Sequence, residues 1–345
     1  MKNILFATTA LVATATFASA EVTGSGPGTV NITGWAEMGV IGGNTLTQNG
    51  AGFWSETEME PQFHTDVDVS FAMSGTADNG LTFGATVDLD ENGAFGNTTQ
   101  GGETIFVSAG GATLTMGDTD GAFDKVMQEV NLAAGSINDD ETAHAGFSGN
   151  AGFDGTQDGQ IARFDYAFSG LTASLSTEID DRGSDKPVWG VGVRYSGEFS
   201  GVSVGFGIGH QAGETRSNAA AVPPVGSVDQ KLTGVSVDAT LANGLKMGVN
   251  HTRMDIDGTE SSHSAIGLGY EMNALAVGVN YGVFADDDGD ATASGFGIAA
   301  SYDLGGGLSA KAGYGHSTVN DLAVSATNTK DLNRDSFSLG LAMSF

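Results

Sequence analysis

Apolar side chains recur at every second position through most of this chain, and few folds can use that pattern. In Asp66–Met73, Val67, Val69, Phe71 and Met73 alternate with Asp66, Asp68, Ser70 and Ala72. In Leu81–Asp90, Leu81, Phe83, Ala85, Val87 and Leu89 alternate with Thr82, Gly84, Thr86, Asp88 and Asp90. Val202–Gly209 and the C-terminal run Ser336–Phe345 repeat it. Successive strand side chains point to opposite faces, so each segment presents one apolar face and one small or polar face.

About sixteen such segments can be counted. Tight joints such as Asp78-Asn79-Gly80, Gly110-Gly111, Ser169-Gly170 and Asn243-Gly244 are turn formers. They alternate with long joints at Gly42–Glu60, Glu91–Gly102, Asp120–Asp158, Ala212–Asp229 and Asn320–Arg334. A sandwich would bury large side chains between its sheets, but here the second face is mostly Gly, Ser, Thr, Asp and Glu. The pattern predicts an all-β chain: a transmembrane antiparallel up-and-down β-barrel with its apolar face toward lipid and a polar lumen. About sixteen strands enclose enough room for water. Closure leaves no unpaired strand edge in hydrocarbon. Trp189, Tyr195, Tyr270, Tyr281, Tyr302 and Phe345 fall near expected strand ends, where interfacial girdles lie.

Residues 1–20 stand apart. Lys2, a short apolar run and Ala18-Ser19-Ala20 read as a secretory signal peptide. The pore domain is then 21–345. The 42 acids against 13 bases would repel nucleic acid. The absence of cysteine excludes a disulfide scaffold, a thiolate metal site and a cysteine nucleophile.

The signal segment, the alternation, the ending SFSLGLAMSF on Phe345 and the stretch Met116-Gly117-Asp118-Thr119-Asp120-Gly121-Ala122-Phe123-Asp124 together resemble the trimeric general porins of Gram-negative bacteria, most closely the alphaproteobacterial type. The resemblance spans essentially the whole chain. It implies passive diffusion of ions and small hydrophilic solutes across the outer membrane, and no enzymatic step. It also implies a homotrimer among outer-membrane lipid and lipopolysaccharide. The stretch after Met116 would open a long third loop that folds into the lumen.

That loop supplies the expected constriction: Asp118, Asp120, Asp124, Glu129, Asp139, Asp140 and Glu141, against the single base Lys125. A short helix is expected at 123–134, with Asp124 favourably placed against its dipole. Strand parity adds lumen acids Glu37, Asp66, Asp68, Asp88 and Asp165, and lumen bases Arg163, Arg194, Lys246 and Lys311. General porins usually face the acidic loop with a basic cluster on early strands. Here residues 21–118 hold no Lys or Arg and thirteen Asp or Glu. Any basic wall must come from later strands, and the expectation is a cation-preferring pore.

Two acidic clusters suggest calcium. Asp286, Asp287, Asp288 and Asp290 crowd one short loop. Asp88-Leu89-Asp90 opens like a calcium loop, but its twelfth position is Thr99. Enzymatic signals are weak: the six histidines show no HExxH spacing, and Asp257 and His263 could meet at the rim by proximity, but nothing singles them out. Gly205-Phe206-Gly207-Ile208-Gly209 lies within strand alternation, so its glycines relieve crowding or bend the strand. Two other readings remain: a structural or adhesive barrel without conductance, and a secreted acidic β protein. The second would need a short tandem repeat, and none is found.

Overall fold

The computed structural model describes residues 28–92, 99–137, 144–180, 186–216 and 227–345. The signal-peptide expectation at 1–20 lies outside them, as do Asp139, Asp140 and Glu141. Sixteen strands pair antiparallel, each with its sequence neighbours, and the first closes on the last. They are β1 (Thr29–Gln48), β2 (Trp54–Thr76), β3 (Thr82–Asn92), β4 (Thr99–Ala109), β5 (Ala112–Gly117), β6 (Ile161–Phe168), β7 (Leu171–Glu178), β8 (Val188–Phe199), β9 (Val202–Arg216), β10 (Ser227–Thr240), β11 (Leu245–Ile256), β12 (Thr259–Met272), β13 (Leu275–Asp286), β14 (Ala291–Gly305), β15 (Leu308–Ser325) and β16 (Asn328–Ser344). One short helix, α1 (Ala122–Val126), follows β5.

Closure is sealed at the C-terminus. The Phe345 N–H donates to Gly34 O at 2.8 Å, and the Gly34 N–H returns a bond of 3.1 Å. The period-two apolar residues point outward: Ile105, Met116, Leu175, Val193, Ile266, Ile298 and Leu339 are all exposed. A water-soluble protein would not leave this much apolar surface bare, whereas a hydrocarbon surround removes the cost.

Two expected long joints are mostly strand. Residues 42–60 and 320–334 continue as the β1–β2 and β15–β16 hairpins, beyond a register shift at Ile41/Gly43 in the first and Val319/Leu322 in the second. Above lipid the outward face no longer needs to be apolar, so the alternation fades while backbone pairing continues. Side-chain bonds such as Thr47 Oγ1 to Thr57 Oγ1 at 2.9 Å replace it as a visible support.

Candidate pore constriction

The segment between β5 and β6 folds back inside the barrel and lies along its inner wall. Ala122, Phe123, Val126, Met127, Val130 and Ile137 turn toward the wall and are buried. Phe123, Val126, Met127, Phe153, Val188 and Leu232 form the apolar cluster that glues loop to barrel. Asp124, Lys125, Gln128 and Glu129 of the same segment are half-buried. The wall accommodates the loop because its inward positions there are often glycine. A Cβ at Gly207 would overlap the Val126 carbonyl oxygen, and one at Gly267 the Val130 carbonyl oxygen.

Polar wall residues then satisfy the loop backbone, which lies where water cannot serve every group. Ser176 Oγ accepts from the Ala122 N–H at 2.8 Å, and Ser236 Oγ from the Gln128 N–H at 3.0 Å. Asn250 Nδ2 donates to Gln128 O at 3.0 Å. These partners compete with intrahelical bonding, so the helix expected over 123–134 stops at Val126. On the return limb, the Gly155, Gln157, Asp158 and Gly159 N–H groups all donate to the Glu178 carboxylate at 2.8–3.0 Å. Glu178 is 2% exposed, so this acid anchors the loop rather than lining the water path.

Further out, the His144 Nε2 donates to Asn280 Oδ1 at 2.5 Å, while its Nδ1 accepts the Gly146 N–H at 3.2 Å. Both ring nitrogens are thereby assigned, and burial holds the imidazole neutral by lowering its pKa. His263 Nε2 donates to Gly146 O at 2.9 Å. His263 therefore points inward as a loop anchor and makes no rim site with exposed Asp257.

Asp154 ties the two ends of the loop together. Its Oδ2 accepts the Gly121 N–H at 2.7 Å and its Oδ1 accepts from Gln211 Nε2 at 2.5 Å. Burial nonetheless raises its pKa to about 6. Asp124 is pushed further, to about 8, first by burial and then by the charges of Asp120, Asp154 and Glu129. Asp118 is exposed where the chain leaves β5, in a surface pocket with Glu103 and Asp158.

All four expected lumen bases are engaged. Arg163 Nε meets Asp165 Oδ2 at 2.9 Å, and its Nη1 donates to Thr119 Oγ1 at 3.1 Å and to the Asp120 carbonyl. Arg194 Nη2 contacts Asp238 Oδ1 at 2.6 Å and Gln128 Oε1 at 3.1 Å. Lys246 Nζ meets Glu271 Oε1 at 2.6 Å, and Lys311 Nζ meets Glu37 Oε1 at 3.1 Å. By contrast, Asp66, Asp68, Asp88 and Asp90 have no ion-pair partner among the described residues, and no Lys or Arg lies on β1–β5. Asp286 Oδ1 caps its own turn by accepting the Asp290 N–H at 2.9 Å. Among the described residues, groups of three ligand atoms come together around Asp66.

Sequence reading missed Ser176, Gln211, Ser236, Asn250, Asn280 and Ser317 as loop anchors. Their only signal is an uncharged polar residue at an inward position, which a water-lined wall shows equally.

A family model described as Gram-negative porin matches residues 7–322. No curated protein matches the sequence. Among solved structures, a Rhodopseudomonas blastica porin mutant is 17% identical with a TM-score of 0.58, over 92% of this chain and 100% of that one. A porin refined at 1.8 Å resolution is 20% identical with a TM-score of 0.63, over the same shares. At these identities the structural likeness is one of fold.

Proposed function

This chain belongs to the Gram-negative porin family and is an outer-membrane β-barrel, and on that premise we propose that it is a general diffusion channel preferring cations. The observation that carries the preference is the unequal use of charge. The lumen bases Arg163, Arg194, Lys246 and Lys311 are each cancelled by a carboxylate. Among the described residues, Asp66 and Asp68 of β2 and Asp88 and Asp90 of β3 are not. Uncompensated carboxylates beside a water path raise the local concentration of cations. The aperture in this reading runs between the half-buried acids of the loop, Asp124 and Glu129, and the acidic wall of Asp66, Asp68, Asp88 and Asp90. Solute flux follows the gradient, with no chemical step. A homotrimer in contact with lipopolysaccharide, and an export signal at 1–20, belong to the same proposal.

The test is the reversal potential of single channels in a KCl gradient near neutral pH. A cation-selective potential supports the reading; an anion-selective one overturns it. A barrel serving only structure or adhesion would show no conductance at all.

Selectivity should also depend on pH through Asp124. With its pKa near 8, this carboxyl is mostly protonated at neutrality and adds little charge to the loop. As pH rises through 8 it ionises, so cation preference should increase between pH 7 and 9. Asp124→Asn should flatten that rise while leaving the preference at pH 7 nearly unchanged.

A further inference from the structure

We propose that Glu37, His64 and Asp66 form a site for a divalent cation of the zinc class on the inner wall between β1 and β2. Antiparallel register sets Glu37 directly opposite Asp66 and His64 opposite Gly39, so three ligating side chains share one face, with Ile137 of the inward loop packed over Gly39. Like charges placed directly across a ladder repel. Lys311 relieves Glu37 from the β15 side, and Glu37 is only 8% exposed. Asp66 receives no such help.

The ligand atoms of the three residues lie within 4.8 Å of one another. His64 Nε2 and Asp66 Oδ1 have no hydrogen-bond partner and almost no accessible surface. Buried donors and acceptors are normally satisfied, and each exception calls for an explanation. A cation between these groups would satisfy the orphaned nitrogen and oxygen together and would remove the repulsion between the acids.

Ligand chemistry selects the ion. Two carboxylates and one imidazole suit a borderline divalent metal. Zinc ligands lie at about 2.0–2.2 Å from the metal, so ligand atoms that stand as far as 4.8 Å apart must draw together by about 1 Å to hold it. The adjoining trio Asp66, Asp68 and Asp90 offers oxygen alone, which suits harder ions and does not call for His64. The site stands on these residues and does not depend on the proposed ion preference of the channel.

The experiment is zinc sulfate added to the full-length protein in planar bilayers, with calorimetry on the detergent-solubilised barrel as a second readout. Zinc should lower the potassium current of the unmodified channel, and EDTA should restore it. His64→Ala and Asp66→Asn should each weaken apparent zinc affinity by at least about 10-fold. His64→Gln, which keeps a polar side chain of similar reach, serves if the alanine variant fails to assemble. Zinc binding absent from the unmodified protein, or unchanged in the variants, would overturn the proposal. Anion selectivity in KCl together with His64-dependent zinc binding would remove the cation-preferring reading and leave this site intact.

Discussion

Valine at Gly207 should convert a steady channel into a flickering one. The added Cβ would overlap the Val126 carbonyl oxygen and crowd Ser236 Oγ, which holds the Gln128 N–H. Neither β9 nor the loop can yield easily at that point: the strand is paired on both sides, and the loop backbone lies flat upon it. The segment around α1 must lift, exposing Phe123 and Val126, each of which gains roughly 1.5–3 kcal/mol from full burial. A net loss of about 3 kcal/mol would raise the unseated population by about 100-fold. Because the loop remains tethered at β5 and β6, an unseated loop stays in the lumen and interrupts current. The barrel's thermal transition should move little, since every strand pair survives. Glu178→Ala should give a similar electrical result from the other limb by withdrawing the acceptor of four backbone N–H groups. Unaltered current traces in both variants would show that the wall contacts do not hold the loop.

The same contacts explain which parts of the molecule were legible in advance. Alternation around Phe71 or Val204 depends on a local rule, side chains on opposite faces of a strand, so strand number and inward parity could be read directly. The inward glycines of β8–β12 were visible too, and relief of crowding was expected at Gly205, Gly207 and Gly209, but the segment they make room for was not visible. A glycine facing water and a glycine facing a packed loop look alike in one dimension. Charges show the same limit. Parity places Arg194 and Asp238 inside, but only the pairing of β9 with both β8 and β10 brings them to 2.6 Å. The helix expected over 123–134 failed for a related reason. Its propensity was local, whereas Ser236 and Asn250, more than 100 residues away in sequence, capture the backbone groups that a helix would use.

Neutralising the acidic wall should produce the second large effect, with Asp68→Asn, Asp88→Asn and Asp90→Asn combined in one chain. At about 4 Å in water a unit charge attracts a monovalent cation by about 1 kcal/mol. Ions crossing the lumen sample larger separations, and the screening length is about 10 Å at 0.1 M salt. Each carboxylate therefore contributes less than about 1 kcal/mol, and their sum sets the preference. Removing three should reduce the cation-to-anion permeability ratio several-fold, because about 1.4 kcal/mol corresponds to a factor of ten. Asp68→Lys with Asp88→Lys should go further and nearly abolish the preference, since the two lysines would offset Asp66 and Asp90 on the same wall. Both effects should shrink at 1 M salt, where screening falls to about 3 Å. Asparagine at Asp287 and Asp288, in the outer turn between β13 and β14, removes two charges without touching the wall and should leave the ratio nearly unchanged. A permeability ratio that follows total charge in both sets would mean that selection occurs at the mouth; dependence on the β2–β3 set alone would locate it at the inner wall.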